Sequence, residues 1–114
     1  MDTSTLNEWR QIIKKILTEL AAIPFPEVVN LKARTVFDES ADIYMVLVEG
    51  WQDVKRLHGF LVHVEINDGK IWIQQDGTED GVANAPLAAG IPKDCIVLAF
   101  KSPQTRAHSG FAVA

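Results

Sequence analysis

The sequence is poor in the residues that usually carry chemistry. Its 114 residues include one cysteine, three histidines and one tyrosine. The lone Cys95 excludes an internal disulfide, and the expected setting is a reducing cytoplasm. His58, His63 and His108 fall in no H-E-x-x-H, H-x-x-x-H or Cys/His spacing, so no metal site is expected. Long apolar runs are missing too, and none approaches the ~20 residues of a membrane span. Residues 1–11 are polar where a secretory leader would be apolar. Positive charge is in the minority, with 11 basic against 15 acidic residues and a net charge of −4. That balance argues against chain-wide attraction to nucleic acid or to an anionic membrane. No internal repeat or low-complexity segment is evident.

What is present is ordinary core material. The hydrophobic fraction is 47%, well above that of a disordered chain, and the length suits a single domain over 1–114. Residues 5–22 predict an amphipathic helix. Leu6, Trp9, Ile12, Ile13, Ile16, Leu17 and Leu20 recur at spacings of three and four, which gathers them on one face. Thr5 with Glu8 fits a capping box, and Pro24 and Pro26 stop the helix. Lys14 and Lys15 fall on its wet side.

Strand patterns follow. Over 28–37, Val29, Leu31, Ala33, Thr35 and Phe37 point one way, and Asn30, Lys32 and Arg34 the other. Over 42–49 both parities are apolar, the pattern of a strand covered on both faces. Asp68-Gly69 between two alternating runs predicts a two-residue hairpin turn, because both central residues need positive φ. Counting back from that turn pairs Ile66 with Ile71, Val64 with Ile73, Glu65 with Trp72, His63 with Gln74 and Leu61 with Asp76. One face is then Phe60, Val62, Val64, Ile66, Ile71 and Ile73, which is core. The other is Leu61, His63, Glu65, Trp72, Gln74 and Asp76, aromatic and polar side chains mixed as on an interaction surface. Residues 78–89 predict a second helix, capped by Thr78 or Asp76 and broken by Pro86. Residues 95–101 predict a last strand.

Each candidate for chemistry has a plainer account. His63, near Glu65 and Asp76, has the makings of a base or a ligand, but a hydrogen-bonded histidine on a sheet face explains it as well. Cys95 opens an apolar strand, where a thiol is inert. The run Asp76-Gly77-Thr78-Glu79-Asp80-Gly81 lacks both the alternating ligands of a calcium loop and the lysine of a phosphate loop. Lys55-Arg56 and Arg106 are short basic spots without interleaved aromatics. No catalytic residue, cofactor or metal ligand is therefore expected. The apolar ending Gly110 to Ala114 is unusual for a chain end. It would add an edge strand, bury in its own core or dock on a second chain, the last two being preferred. Phe111 and Val113 thus join the candidate interaction surface.

Several stretches resemble one family. Lys70 to Asn84, KIWIQQDGTEDGVAN, is similar to its KIWIQxDGTExGIAN segment. Gly90 to Phe100, GIPKDCIVLAF, resembles GIPKxDIVLGF, and Arg106 to Ala114, RAHSGFAVA, resembles RxHTGFAVA. Arg56 to His63 and Thr35 to Asp38 match further family stretches. The family is XisI, the fdxN-element excision controlling factor, and the resemblance runs nearly end to end. The chain departs from the family's pattern at Ala99, at Lys101 and at the Gln52-Asp53 turn.

The resemblance implies an α+β fold, an antiparallel sheet of about five strands covered by an N-terminal helix and a second short helix. It implies an accessory role beside an XisH-like protein in excision of a DNA element during heterocyst development, and it supplies no catalytic residue. A protein-binding factor that forms a homodimer or higher oligomer, without a membrane, is the first expectation. A DNA-binding directionality factor and a hydrolase centred on His63 are the alternatives.

Overall fold

The computed structural model describes residues 2–24 and 31–114. Its first element, α1, spans Thr3–Ala21. Trp9, Ile13 and Leu17, spaced by four, are its buried residues, and each contributes about 2 kcal/mol by leaving water. The helix begins earlier than the capping-box pattern suggested. Asp2 is the N-cap, and its Oδ1 accepts the Thr5 N–H at 2.7 Å. A side-chain oxygen one turn ahead outcompetes the Thr5 hydroxyl because it meets the first free N–H groups of the helix.

Five strands follow: β1 (Lys32–Asp38), β2 (Ile43–Gln52), β3 (Lys55–Asn67), β4 (Lys70–Asp76) and β5 (Ile96–Leu98). They form one sheet in the order β1-β2-β3-β4-β5. The first four are antiparallel meander neighbours, and β5 joins β4 in parallel. The sheet is therefore mostly antiparallel, as expected, with a parallel last pair. A parallel neighbour needs a crossover, and residues 77–95 supply it. Within them α2 is only Asn84–Ala88, shorter than the 78–89 helix the sequence predicted. Residues 77–82 are instead held as a loop by Asp76, whose carboxylate accepts from Thr78 N at 2.9 Å and Val82 N at 2.7 Å. A last helical turn, α3, is Pro103–Arg106. No helix among the described residues is long and apolar enough to cross a membrane.

The alternation predicted for β1 holds where it is described. Ala33, Thr35 and Phe37 are half-buried and Lys32 and Arg34 exposed, while Val29 and Asn30 lie outside the described residues. The core lies between α1 and one sheet face. There Tyr44, Val46, Val62, Ile71 and Ile73 are completely buried. Lys14 is half-buried and pairs with Glu39, so only Lys15 is on the wet side. On the other sheet face Val97 of β5 is completely buried, while the strands further from it are less covered. Ile43, Met45 and Leu47 there are only half-buried, which corrects the expectation that β2 is covered on both sides.

Candidate functional site

The hairpin at Asp68-Gly69 forms as predicted, with φ of 51° and 71° at its two central residues. Asn67 pairs with Lys70, Ile66 with Ile71, Glu65 with Trp72 and Val64 with Ile73. Beyond that point the count fails, because the ladder slips twice. Between β3 and β4, His63 pairs with Gln75 rather than Gln74, and Val62 pairs with Asp76. Gln74 is the extra, exposed residue of this β-bulge. Between β2 and β3, Val46 pairs with Val62 but Leu47 with Phe60, so Leu61 is the extra residue.

Each bulge exchanges faces. Phe60, expected in the core, shares the open face with Leu47 and is 38% exposed. Leu61, expected on the open face, packs against the core and meets Ile16 and Leu20 of α1 in a groove. Asp76, expected beside His63, lies on the helix side with Val62 and caps the loop to Val82. The expected surface therefore divides. His63, Glu65 and Trp72 stay together on the open face, and Leu61 and Asp76 leave it.

That open face is largely apolar, but His63 lies beside Met45, and Glu65 lies between Ile43 and Trp72, on its central strand. Val36, Met45, Leu47, Phe60 and Trp72 occupy it across four strands. Trp72 donates its indole N–H to the Asn67 carbonyl at 3.0 Å, which fixes the ring. Towards the tip of the β2–β3 hairpin, Glu49 receives Arg34 at 2.9 Å and Arg56 at 3.4 Å. Arg56 also lies 5.3 Å from the centre of the exposed Trp51 ring. Val54, in the turn, is 94% exposed.

His63 Nε2 lies 3.0 Å from Glu65 Oε2 without hydrogen-bond geometry, and it has no other partner among the described residues. With Asp76 removed to the opposite face, the triad expected around His63 is not assembled. Among the described residues, no group of three His, Cys, Asp or Glu side chains is placed to hold a metal ion. Cys95 is half-buried, and burial pushes its thiol upward, away from a reactive thiolate.

The tail takes the least favoured of its expected courses together with one of the preferred ones. Ala112 bridges Val97 in parallel, and its N–H donates to the Ile96 carbonyl at 2.9 Å. Phe111 packs against its own core, with Lys93 Nζ 5.2 Å from the ring centre, and Val113 stays exposed. Sequence reasoning missed what holds the tail. Arg106 donates to the carbonyls of Leu98, Ala99, Lys101 and Val113. A basic residue among carbonyls leaves no local pattern, so its sequence neighbourhood reads as a loop.

A long helix on one face of a five-stranded, mostly antiparallel sheet defines an α+β protein. Comparison with known proteins places it further. The model of the XisI family, described as XisI protein, matches residues 1–113. The chain belongs to the XisI family. No curated protein matches it. Among solved structures, a XisI-like protein from Anabaena variabilis ATCC 29413 is 29% identical, with a TM-score of 0.85 over 96% of this chain and 99% of that one. The fdxN element excision controlling factor XisI from the same organism is 33% identical, with a TM-score of 0.78 over 96% and 98%.

Proposed function

We propose that the chain is a non-catalytic excision controlling factor, cytoplasmic, that acts by binding protein through its open sheet face. The partly exposed β1–β3 side of that face carries this reading. Val36 at 41% exposed and Phe60 at 38% stand among half-buried Met45, Leu47 and Trp72. A largely apolar field that also carries His63 and Glu65 has the mixed composition of a protein interface. Family membership supports the controlling-factor role, and the partner we assign is an XisH-like protein. The chain also self-associates in this reading, because charges of both signs at the margin suit a two-fold contact between like faces.

Direct DNA contact has less support. The basic residues near the hairpin tip are partly spent on Glu49 and Trp51, and the chain is acidic overall. The His63 hydrolase reading has lost Asp76 from its set. Co-expression with an XisH-like protein, followed by size exclusion at micromolar concentration, tests the proposal. Co-elution is expected. Separate elution, with DNA affinity that falls steeply with salt, would transfer the role to DNA binding.

A further inference from the structure

A second surface lies on the opposite side of the molecule. The last turns of α1 and the loop 77–82 enclose a groove of about 910 Å³. Its apolar surface comes from Ile16, Leu20, Leu61 and Val82, and its charged side chains are Glu19, Glu79 and Asp80. Among the described residues, no lysine, arginine or histidine lines it. None of those three carboxylates has a cationic partner among the described residues. Residues 25–30, which follow Pro24 at its edge, contain no basic residue either.

The helix end adds to this negative field. The C-terminal end of α1 borders the groove, and helices favour a cation at that end. The last turn of α1 contains no basic residue and carries Glu19 instead. The loop that bears Glu79 and Asp80 is fixed, since Asp76 receives Thr78 and Val82 and Gly77 donates to Leu61 at 2.7 Å. An apolar floor beneath an acidic rim suits a ligand that is at once apolar and cationic.

We propose that this groove binds a peptide segment of another protein, one with two or more large apolar side chains flanked by lysine or arginine. The apolar residues would enter between Leu20 and Leu61, as in helix-in-groove recognition. The flanking cations would meet Glu19, Glu79 and Asp80 and the end of α1. Nucleic acid and anionic lipid present phosphates, which this rim repels. The site is separate from the open sheet face and does not depend on what that face binds.

Fluorescence anisotropy of the full chain with a short labelled leucine–lysine peptide tests the inference. Two control peptides replace leucine with serine or lysine with glutamate. Binding is expected for the first peptide alone. The Glu79→Lys/Asp80→Lys variant should weaken it about tenfold or more. Ile23→Ser should weaken it as well, because Ile23 borders the groove while being 57% exposed, so the fold tolerates the change. Val36→Lys on the open face should leave it unchanged. No binding, equal binding of the serine peptide, or affinity indifferent to the charge reversal would each overturn the proposal.

Discussion

The Gly77 N–H donates to the Leu61 carbonyl at 2.7 Å, and a Cβ on Gly77 would stand 3.0 Å from Leu61 Cδ1 and 3.1 Å from that carbonyl oxygen. Leu61 is the residue that the β2–β3 bulge turns towards α1. The loop after β4 is thus seated directly on the bulge, and glycine is what permits the approach. Gly77→Ala should destabilise the protein by about 1–3 kcal/mol, the usual cost of overpacking. A urea midpoint equal to that of the parent would show that the loop yields freely.

The pair Arg10 and Asp42 ties the helix to the sheet. Arg10 Nε lies 2.7 Å from Asp42 Oδ1 and Nη2 lies 3.0 Å from Oδ2, while the buried Tyr44 hydroxyl donates to Oδ1 at 2.7 Å. The Arg10 hydrogen bonds above all, with that of Tyr44, hold the Asp42 carboxyl below the usual carboxylate range. A depressed folded value stabilises fully above the unfolded pKa of about 3.9. That stability is lost as pH falls through the lower folded value. Unfolding followed by tryptophan fluorescence should therefore show stability level near neutrality and falling below about pH 4. Asp42→Asn should cost about 2 kcal/mol at pH 7 and make the acid limb shallower. Asparagine tolerates the φ of 53° at this position, so the change isolates the charge. An acid limb as steep as the parent's would move its origin to other carboxylates.

These two contacts mark where the sequence was legible and where it was not. The period of α1 from Leu6 to Leu20, the Asp68-Gly69 turn and the first four pairs of its hairpin follow from local patterns, and they form as read. The errors begin where β-bulges interrupt the ladder. A register counted from one turn is right only until a residue is inserted, and then every later side chain changes face. Phe60 and Leu61 exchanged sides for that reason, and Asp76 left His63 for the loop. Nothing local in Leu61-Val62-His63 announces an insertion. Long-range pairs such as Arg10–Asp42, and the carbonyl cage around Arg106, are likewise set by the tertiary fold alone.

Arg106 should prove to be the clamp of the tail. Its Nε reaches the Lys101 carbonyl at 2.8 Å and that of Leu98 at 3.2 Å, while Nη2 and Nη1 reach Ala99 at 3.0 Å and Val113 at 3.3 Å. The planar five-donor fork of arginine spans these carbonyls, and a lysine ammonium does not. Arg106→Lys should keep the charge yet cost about 1–2 kcal/mol. Faster hydrogen exchange at the Ala112 amide should accompany it, since that N–H pairs with Ile96 only while the tail is docked. Unchanged Ala112 exchange would assign the docking to the Phe111 packing and the Lys70–Ala114 contact.

The open face gives the most direct test of function. Val36 and Phe60 project from β1 and β3 on the face away from α1 and are partly exposed, so their replacement disturbs little of the fold. Val36→Lys and Phe60→Glu should each change stability by no more than about 0.5 kcal/mol. Together they add charge to the apolar β1–β3 side of the face, where a partner must desolvate it. Association with the XisH-like protein should weaken about tenfold or more. Titration by calorimetry separates the effects, because binding should fall while the urea midpoint stays fixed. The Glu79→Lys/Asp80→Lys variant, altered at the opposite surface, should bind this partner as the parent does. If the open-face double variant retained full affinity and the groove variant lost it, the partner would belong to the groove between α1 and the 77–82 loop, and the β1–β3 side of the sheet face would need another occupant.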